Sequence, residues 1–177
     1  MARSRDFDLE QALDHAVELF WRQGYASTSV RQLCDAMSIQ PGSFYAAFQS
    51  KEVCFQRALE RYLATQLLSV PPGPQAIRAW FDAITHASRR GKGCLLVNSA
   101  VELPGLDTES QRVVAERIQG MERFFARCLA GEADAKERAE DLAASVIAIH
   151  VMARSGAKPG KLKGLATRAL SAAGLAD

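Results

Sequence analysis

The chain lacks most of the motifs that mark enzymes, metal proteins and disulfide-bonded proteins. It contains four cysteines, and no pair of them has the two-residue spacing of a zinc ligand pair or lies beside a pair of histidines. No glycine-rich phosphate loop, no HExxH and no GxSxG sequence occurs. We therefore expect no enzymatic activity, no metal, no disulfide framework and no cofactor.

Long hydrophobic runs are also missing. The longest, residues 142–153, is interrupted by Ser145 and His150 and is shorter than the roughly 20 residues that span a bilayer. The first eight residues are charged and lack the apolar segment of a signal peptide. These features predict a soluble cytoplasmic protein whose thiols stay reduced.

No excess of one charge stands out. The chain has 22 Lys and Arg against 20 Asp and Glu, a net charge of +2. The stretch 1–64 is close to neutral, with basic residues at 3, 5, 22, 31, 51, 57 and 61 and acidic residues at 6, 8, 10, 14, 18, 35, 52 and 60. An argument for nucleic-acid binding must therefore rest on where the cations lie and not on their number.

What is present is a helical periodicity along the whole chain. Apolar residues recur at three- and four-residue intervals, and no run of alternating β-branched residues predicts a strand. The clearest breaks are at Pro71-Pro72 and Pro104-Gly105. We predict an all-α protein of nine helices, over residues 8–24, 29–37, 41–47, 50–68, 74–90, 92–103, 108–130, 135–155 and 160–173.

Residues 28–51 predict a helix, a tight turn and a short second helix. Thr28 and Ser29 are available as N-caps, and Gln32 lies three residues after Ser29, as in a capping box. Apolar residues at helical spacing predict one narrow buried face, namely Val30, Leu33, Cys34 and Met37.

Pro41 at a first helical position starts the second helix, and Phe44 and Phe48 predict its buried face. The side chains left outward are small or polar, namely Gln40, Gly42, Ser43, Tyr45 and Ala46. Such a surface can approach base edges in a DNA groove. An ordinary helical corner produces the same pattern, so the residues alone leave both interpretations open.

The first 60 or so residues resemble the DNA-binding domain of the TetR family of transcriptional regulators. The resemblance rests on Leu19-Phe20, Gly24-Tyr25, Thr28-Ser29-Val30, Gly42-Ser43-Phe44-Tyr45 with Phe48, and Ser50-Lys51-Glu52. It implies two domains, a helix-turn-helix head over residues 1–51 and an effector-binding and dimerisation body over residues 52–177.

The resemblance implies that Gln40, Ser43 and Ala46 lie nearest the bases, and that Thr28 or Ser29, Tyr45 and Lys51 contact phosphates. With cations expected on the groove side, the predicted DNA-binding set is Arg3, Arg5, Thr28, Ser29, Arg31, Gln40, Pro41, Gly42, Ser43, Tyr45, Ala46 and Lys51. There are two departures from the family pattern. Ser38 stands where the family usually has glycine, which costs about 1 kcal/mol in a left-handed cap. Pro41 stands where a lysine is frequent, which removes a phosphate contact.

The last two predicted helices carry stripes that suit self-association. The predicted dimerisation residues are Leu142, Val146, Ile149, Ala153, Leu165 and Ala169. The same stripes also suit the core of a single chain, and the pattern leaves both possibilities open. Because one short helix supplies few contacts with DNA, we expect a homodimer that binds a palindromic operator.

The middle helices are expected to bind an effector. The predicted effector-binding residues are Trp80, Phe81, Cys94, Asn98, Phe124, Phe125 and His150. Cys94 follows Arg89, Arg90 and Lys92 and is predicted in the first turn of a helix, and both features favour a reactive thiolate. The alternative is a small buried hydrophobic residue beside a pocket that binds a small molecule noncovalently.

We therefore expect a homodimeric repressor that a small-molecule or thiol-reactive effector releases from its operator. Its partners would be double-stranded operator DNA, the unknown effector and a second copy of the chain, with no membrane. A transcriptional activator, an effector-independent DNA-binding protein and a helical protein-interaction module are the alternatives.

Overall fold

The computed structural model describes residues 7–65, 70–87 and 91–176, and the secondary structure in these ranges is helical, without strands. The helices there are α1 Leu9–Gln23, α2 Val30–Met37, α3 Pro41–Phe48, α4 Lys51–Thr65, α5 Pro74–Ala87, α6 Leu95–Val101, α7 Thr108–Cys128, α8 Ala135–Arg154 and α9 Pro159–Ala172. A 3-10 turn, Leu103–Gly105, follows α6. The predicted all-α class and the nine helices are thus confirmed over these residues.

Most predicted helix boundaries agree to within two residues, and the exception is the start of α6. Residues 92–94 were predicted to be helical, yet the helix begins at Leu95. Gly91 and Gly93 adopt φ values of +68° and +69°, which lie outside the helical region. The two glycines thereby delay the helix. The predicted ends of α4 and α5, at residues 68 and 90, lie outside the described residues.

The chain divides into two compact units. The first comprises residues 1–67 and 98–114. Its core is rich in aromatic side chains, and the largest fully buried ones are Phe20, Phe44, Phe48 and Phe55. Phe20 and Phe55 meet edge to face with ring centroids 5.3 Å apart, so α1 and α4 share this core.

The second unit comprises residues 68–97 and 115–177. Its core joins α5, the C-terminal part of α7, α8 and α9 through buried residues that include Ile77, Phe81, Phe125, Leu142, Val146, Ile149 and Leu162. The units do not divide the chain at residue 51, because α4 packs with α1 and α3. The functional boundary between residues 51 and 52 stays a prediction.

In the part of the chain that the structure describes, no helix combines the length and apolar character needed to cross a membrane.

Candidate nucleic-acid interface

The start of α2 is fixed by a capping box. The Ser29 hydroxyl accepts a hydrogen bond from the Gln32 amide at 3.2 Å, and the Gln32 side chain accepts one from the Ser29 amide at 2.8 Å. Leu33, Cys34 and Met37 are buried. The predicted cap is therefore confirmed, and so is the predicted inner face except at Val30, which is only half-buried.

The turn between α2 and α3 uses a strained backbone position. Ser38 ends α2 with φ +56° and ψ +40°, the left-handed conformation expected at this position. Gln40 then takes the N-cap position of α3, and Pro41 occupies the first turn, where its missing amide hydrogen costs nothing. The turn is thus set by local chemistry that the sequence already contains.

α3 has one buried face and one exposed face. Phe44 and Phe48 are fully buried, and Ala47 is nearly so. The predicted outward residues are all exposed, namely Gln40, Pro41, Gly42, Ser43, Tyr45 and Ala46. Tyr45 retains 52% of its side-chain exposure, which is unusual for an aromatic residue in a helix. A groove between α2 and α3 continues this surface past Arg31 and Asp35.

Thr28 does not belong to this exposed surface. Its side chain is 2% exposed, and its hydroxyl donates a 2.6 Å hydrogen bond to the Gly24 carbonyl within the turn that precedes α2. Of the two residues offered for phosphate contact, Thr28 and Ser29, only Ser29 is exposed. The prediction that the Thr28 side chain contacts DNA is therefore inconsistent with this conformation.

Lys51 is also engaged inside the unit. Its ammonium group donates hydrogen bonds to the carbonyls of Tyr25, at 3.2 Å, and Thr28, at 3.0 Å. It lies 3.9 Å from the centre of the Tyr25 ring. In this conformation Lys51 stabilises the α1–α2 turn and is not the solvent-facing phosphate ligand that the resemblance implied.

Two acidic residues of α1 are paired with a cation of α4. Arg61 of α4 pairs with Glu10 and Asp14 of α1. The hydrogen bond from Arg61 holds the pKa of Asp14 below its usual range. Arg31 is exposed beside the groove, whereas Arg3 and Arg5 lie outside the described residues.

Glu102 makes a contact that the sequence could not reveal. Its carboxylate accepts a 2.9 Å hydrogen bond from the backbone amide of Ala26, in the turn between α1 and α2. The two residues are 76 positions apart, and sequence periodicity carries no signal over such a distance.

The aromatic residues predicted for the effector site lie together in the second unit. The Trp80 ring lies 5.0 Å from the Phe124 ring and 5.3 Å from the Phe125 ring. Phe81 is buried against Phe125, with centroids 6.3 Å apart. Asn98, which is also buried, falls in the first unit. The aromatic part of the predicted set is thus contiguous.

His150 is buried in the second unit with an unsatisfied polar atom. It is 6% exposed, and its Nδ1 has no hydrogen-bond partner within the described residues. Burial lowers the pKa of His150 to about 4, so the imidazole is neutral at pH 7. A buried nitrogen without a partner has an unused capacity to bind a polar group.

Cys94 differs from the other three cysteines because it is partly exposed. It lies directly before α6 and not in its first turn, which corrects the predicted position. Burial raises the pKa of Cys34, and it raises that of Cys54 to about 12. Cys128 is buried as well. Cys94 is therefore the most accessible of the four thiols.

The predicted dimerisation stripe belongs mainly to the core of one chain. Leu142, Val146, Ile149 and Ala153 are each at most 2% exposed and pack within the second unit, while Leu165 and Ala169 are partly buried against it. The assignment of the four α8 residues to a dimer interface is therefore wrong for this conformation, and the alternative, a core role, holds. A shallow groove between α8 and α9 is instead lined by small residues together with two charged ones, namely Ala144, Ser145, Ala148, Ala169, Ala172 and Ala173 with Arg138 and Asp141.

A capped helix, a left-handed turn and a second helix with an exposed polar face define a helix-turn-helix DNA-binding protein. Residues 12–58 match the family model described as bacterial regulatory proteins, tetR family. The YezE transcriptional regulator of Bacillus subtilis is 31% identical over 135 residues, which cover 71% of this chain and 70% of that protein. The chain belongs to the TetR family and is a transcriptional regulator, not an enzyme.

Two further relatives match most of the chain. The transcriptional repressor ComR of Escherichia coli is 28% identical over 184 residues, covering 93% of this chain and 88% of that protein. The chain is also similar to a cysteine mutant of the TetR family regulator CifR solved with a 26-base-pair operator DNA. Their sequences are 29% identical, the TM-score is 0.80, and the match covers 96% of this chain and 99% of that one.

Proposed function

We propose that this regulator is a homodimeric repressor that binds a palindromic operator and is released by a small-molecule or thiol-reactive effector. The observation that carries the proposal is the exposed polar face of α3, on which the side chains of Gln40, Ser43 and Ala46 are free to approach base edges. ComR is named a repressor, and CifR was solved with operator DNA, which supports the direction of regulation and the DNA partner.

In this proposal the contacts fall into two classes. Gln40, Ser43 and Ala46 read bases, while Tyr45, Ser29 and Arg31 contact phosphates. Pro41 and Gly42 let the helix approach closely because neither presents a bulky polar side chain. Arg3 and Arg5 precede α1 and would add phosphate contacts. Thr28 and Lys51 act indirectly by holding the turn from which α2 begins.

The dimer is proposed through the α8–α9 groove and not through the buried α8 stripe. Alanines on exposed helix faces allow close approach of two helix pairs, and a two-fold axis would place the same groove on both copies. Two copies would then read half-sites about one helical turn apart or more.

Cys94 is the proposed site of a thiol-reactive effector. It is the partly exposed cysteine of the four, and cysteines were replaced in the CifR chains solved with DNA, so thiol chemistry is the first class to test. The partly buried aromatic cluster around Trp80 and the unsatisfied His150 nitrogen are the proposed site for a noncovalent ligand.

The test is selection of bound sequences from random duplex DNA, with and without an oxidant. We expect enrichment of a palindrome at low salt and loss of enrichment after oxidation. Absence of enrichment in both conditions would contradict the DNA partner. Enrichment that oxidant leaves unchanged would contradict the thiol effector and leave the noncovalent one.

A Cys94→Ser variant isolates the thiol. We expect it to bind the selected operator as the parent does and to resist release by oxidant. Cys34→Ser is the matched control, because Cys34 is buried in α2. A Cys94→Ser protein that remains as oxidant-sensitive as the parent would remove Cys94 from the mechanism.

A further inference from the structure

The turn between α1 and α2 is held by a residue far away in the sequence. Glu102 stands between α6 and the 3-10 turn, and its Oε2 accepts the 2.9 Å hydrogen bond from the Ala26 amide. Such a charge-assisted hydrogen bond is stronger than one between neutral groups. This bond gives a partner to a backbone amide that lies in the turn, outside both helices.

Gly24 provides the space for this carboxylate. It ends α1 with φ +85°, and a Cβ at this position would overlap Oε1 of Glu102 and come within 2.9 Å of its Cδ. The Gly24 amide still bonds to the Phe20 carbonyl at 2.9 Å, so the backbone closes α1 while its open side receives Glu102. The absence of a side chain at Gly24 therefore leaves the space that the Glu102 carboxylate occupies.

The turn that Glu102 holds leads directly to α2, the first helix of the helix-turn-helix. The Gly24 carbonyl accepts from Thr28, and the Tyr25 carbonyl accepts from both Lys51 and the Thr28 amide. Ser29 then caps α2. The chain from Ala26 to the first residue of α2 spans only four positions, so displacement of the turn shifts the start of α2.

A second contact joins the same segment to α4 within the first unit. The Gln56 side chain of α4 donates a 3.1 Å hydrogen bond to the hydroxyl of Ser110, which is fully buried at the start of α7. Residues 98–114 thus contact the N-terminal part of their own unit at two separate places, the α1–α2 turn and α4.

We infer that Glu102 is a positioning residue for DNA reading, because its hydrogen bond to Ala26 holds the turn from which α2 begins. This inference rests on the proposed function. α6 starts directly after Cys94 and ends directly before Glu102.

The test compares the full-length parent with Glu102→Ala, Glu102→Gln and Glu109→Ala. Glu109 is the matched control, since its exposed carboxylate lies in the same segment and pairs with Arg112 at 3.0 Å. Two quantities are measured for each protein, namely the hydrogen-exchange rate of the Ala26 amide by NMR and the dissociation constant for the selected operator. Thermal unfolding confirms that each variant is folded.

We expect Glu102→Ala to speed exchange at Ala26 and to weaken operator binding about tenfold, as loss of a hydrogen bond to a charged group would. Glu102→Gln should lose less affinity than Glu102→Ala, because the amide oxygen can accept the same hydrogen bond although it lacks the charge. Glu109→Ala should leave both quantities unchanged.

Three outcomes would overturn the inference. One is unchanged exchange at Ala26 in Glu102→Ala, another is faster exchange with unchanged operator binding, and the third is an equal loss of binding in the alanine and glutamine variants. Failure of the parent to bind any duplex would instead contradict the proposed function itself, so the two failures are distinguishable.

Discussion

Ser38 carries a conformational cost that can be measured directly. Its φ of +56° lies in the left-handed region, which a side chain disfavours and glycine accepts. We expect Ser38→Gly to raise the free energy of unfolding by about 0.5–1 kcal/mol in urea titrations. The same change at Ser43, inside α3, should lower it by a similar amount. A loss of stability in Ser38→Gly would contradict the role assigned to the turn.

His150 makes stability depend on pH. Its folded pKa of about 4 lies below the ordinary 6.5 of histidine, so the unfolded chain binds more protons between these values. Stability is complete above pH 6.5 and falls as the pH drops toward 4. At pH 5 the loss is about 2 kcal/mol, from 1.36 kcal/mol per pKa unit.

A His150→Leu variant tests this assignment. We expect its urea-unfolding free energy to fall less between pH 7 and pH 5 than that of the parent, by about 2 kcal/mol. His15→Gln is the control, because His15 is exposed on α1 and solvent surrounds it before and after unfolding. An identical pH dependence in His150→Leu and the parent would show that burial of the imidazole is not what destabilises the acid form.

At the scale of single residues, contacts between neighbours in the sequence could be predicted, and contacts between distant residues could not. The capping box of Ser29 and Gln32 follows from neighbours in the sequence and was predicted, whereas the left-handed Ser38 was expected only from the family's usual glycine at that position. Thr28 and Lys51 were taken for solvent-facing residues, but both bind backbone carbonyls of the α1–α2 turn. For Lys51 those carbonyls lie 23 and 26 positions away, beyond the reach of any local pattern.

At the scale of elements, periodicity located the helices but not the partners of their faces. An apolar stripe indicates only that a helix is buried on one side. The α8 stripe fits the core of one chain and an interface equally well on sequence grounds, and the structure assigns it to the core. The late start of α6 followed from two glycines with positive φ, for which no sequence rule was decisive.

The α8–α9 groove makes a prediction about self-association. We expect Ala148→Glu to convert the proposed dimer to a monomer in sedimentation experiments, because a longer charged side chain would be forced between two closely approaching copies. Operator affinity should fall with it, since each half-site would then be bound alone. Ala83→Glu, an equivalent change on the exposed face of α5, is the control and should leave the dimer intact. A dimeric Ala148→Glu protein would move the interface elsewhere.

At the scale of the whole molecule, the near-neutral charge limits how strongly salt can act on DNA binding. Four cations per subunit were expected at the DNA, but Lys51 is bound internally in this conformation. Arg31 is the exposed cation beside the groove between α2 and α3. The salt dependence should therefore be smaller than that of eight phosphate contacts per dimer.

Replacement of Arg31 tests whether its side chain contributes a phosphate contact. We expect Arg31→Gln to reduce the slope of log K against log salt by about 1.8 per dimer, from about 0.9 for each of two phosphates. The slope is measured by fluorescence anisotropy of a labelled operator over a salt series. Arg127→Gln, exposed at the end of α7, is the control and should keep the parental slope. An unaltered slope in Arg31→Gln would exclude a phosphate contact by Arg31.

The alanine-lined groove also bears on how the regulator would respond to its own abundance. Alanines bury little apolar area each, so two copies joined there would separate readily when the protein is scarce. Occupancy of the promoter would then rise with the square of copy number. A modest drop in synthesis would free the promoter even before an inducing compound arrives.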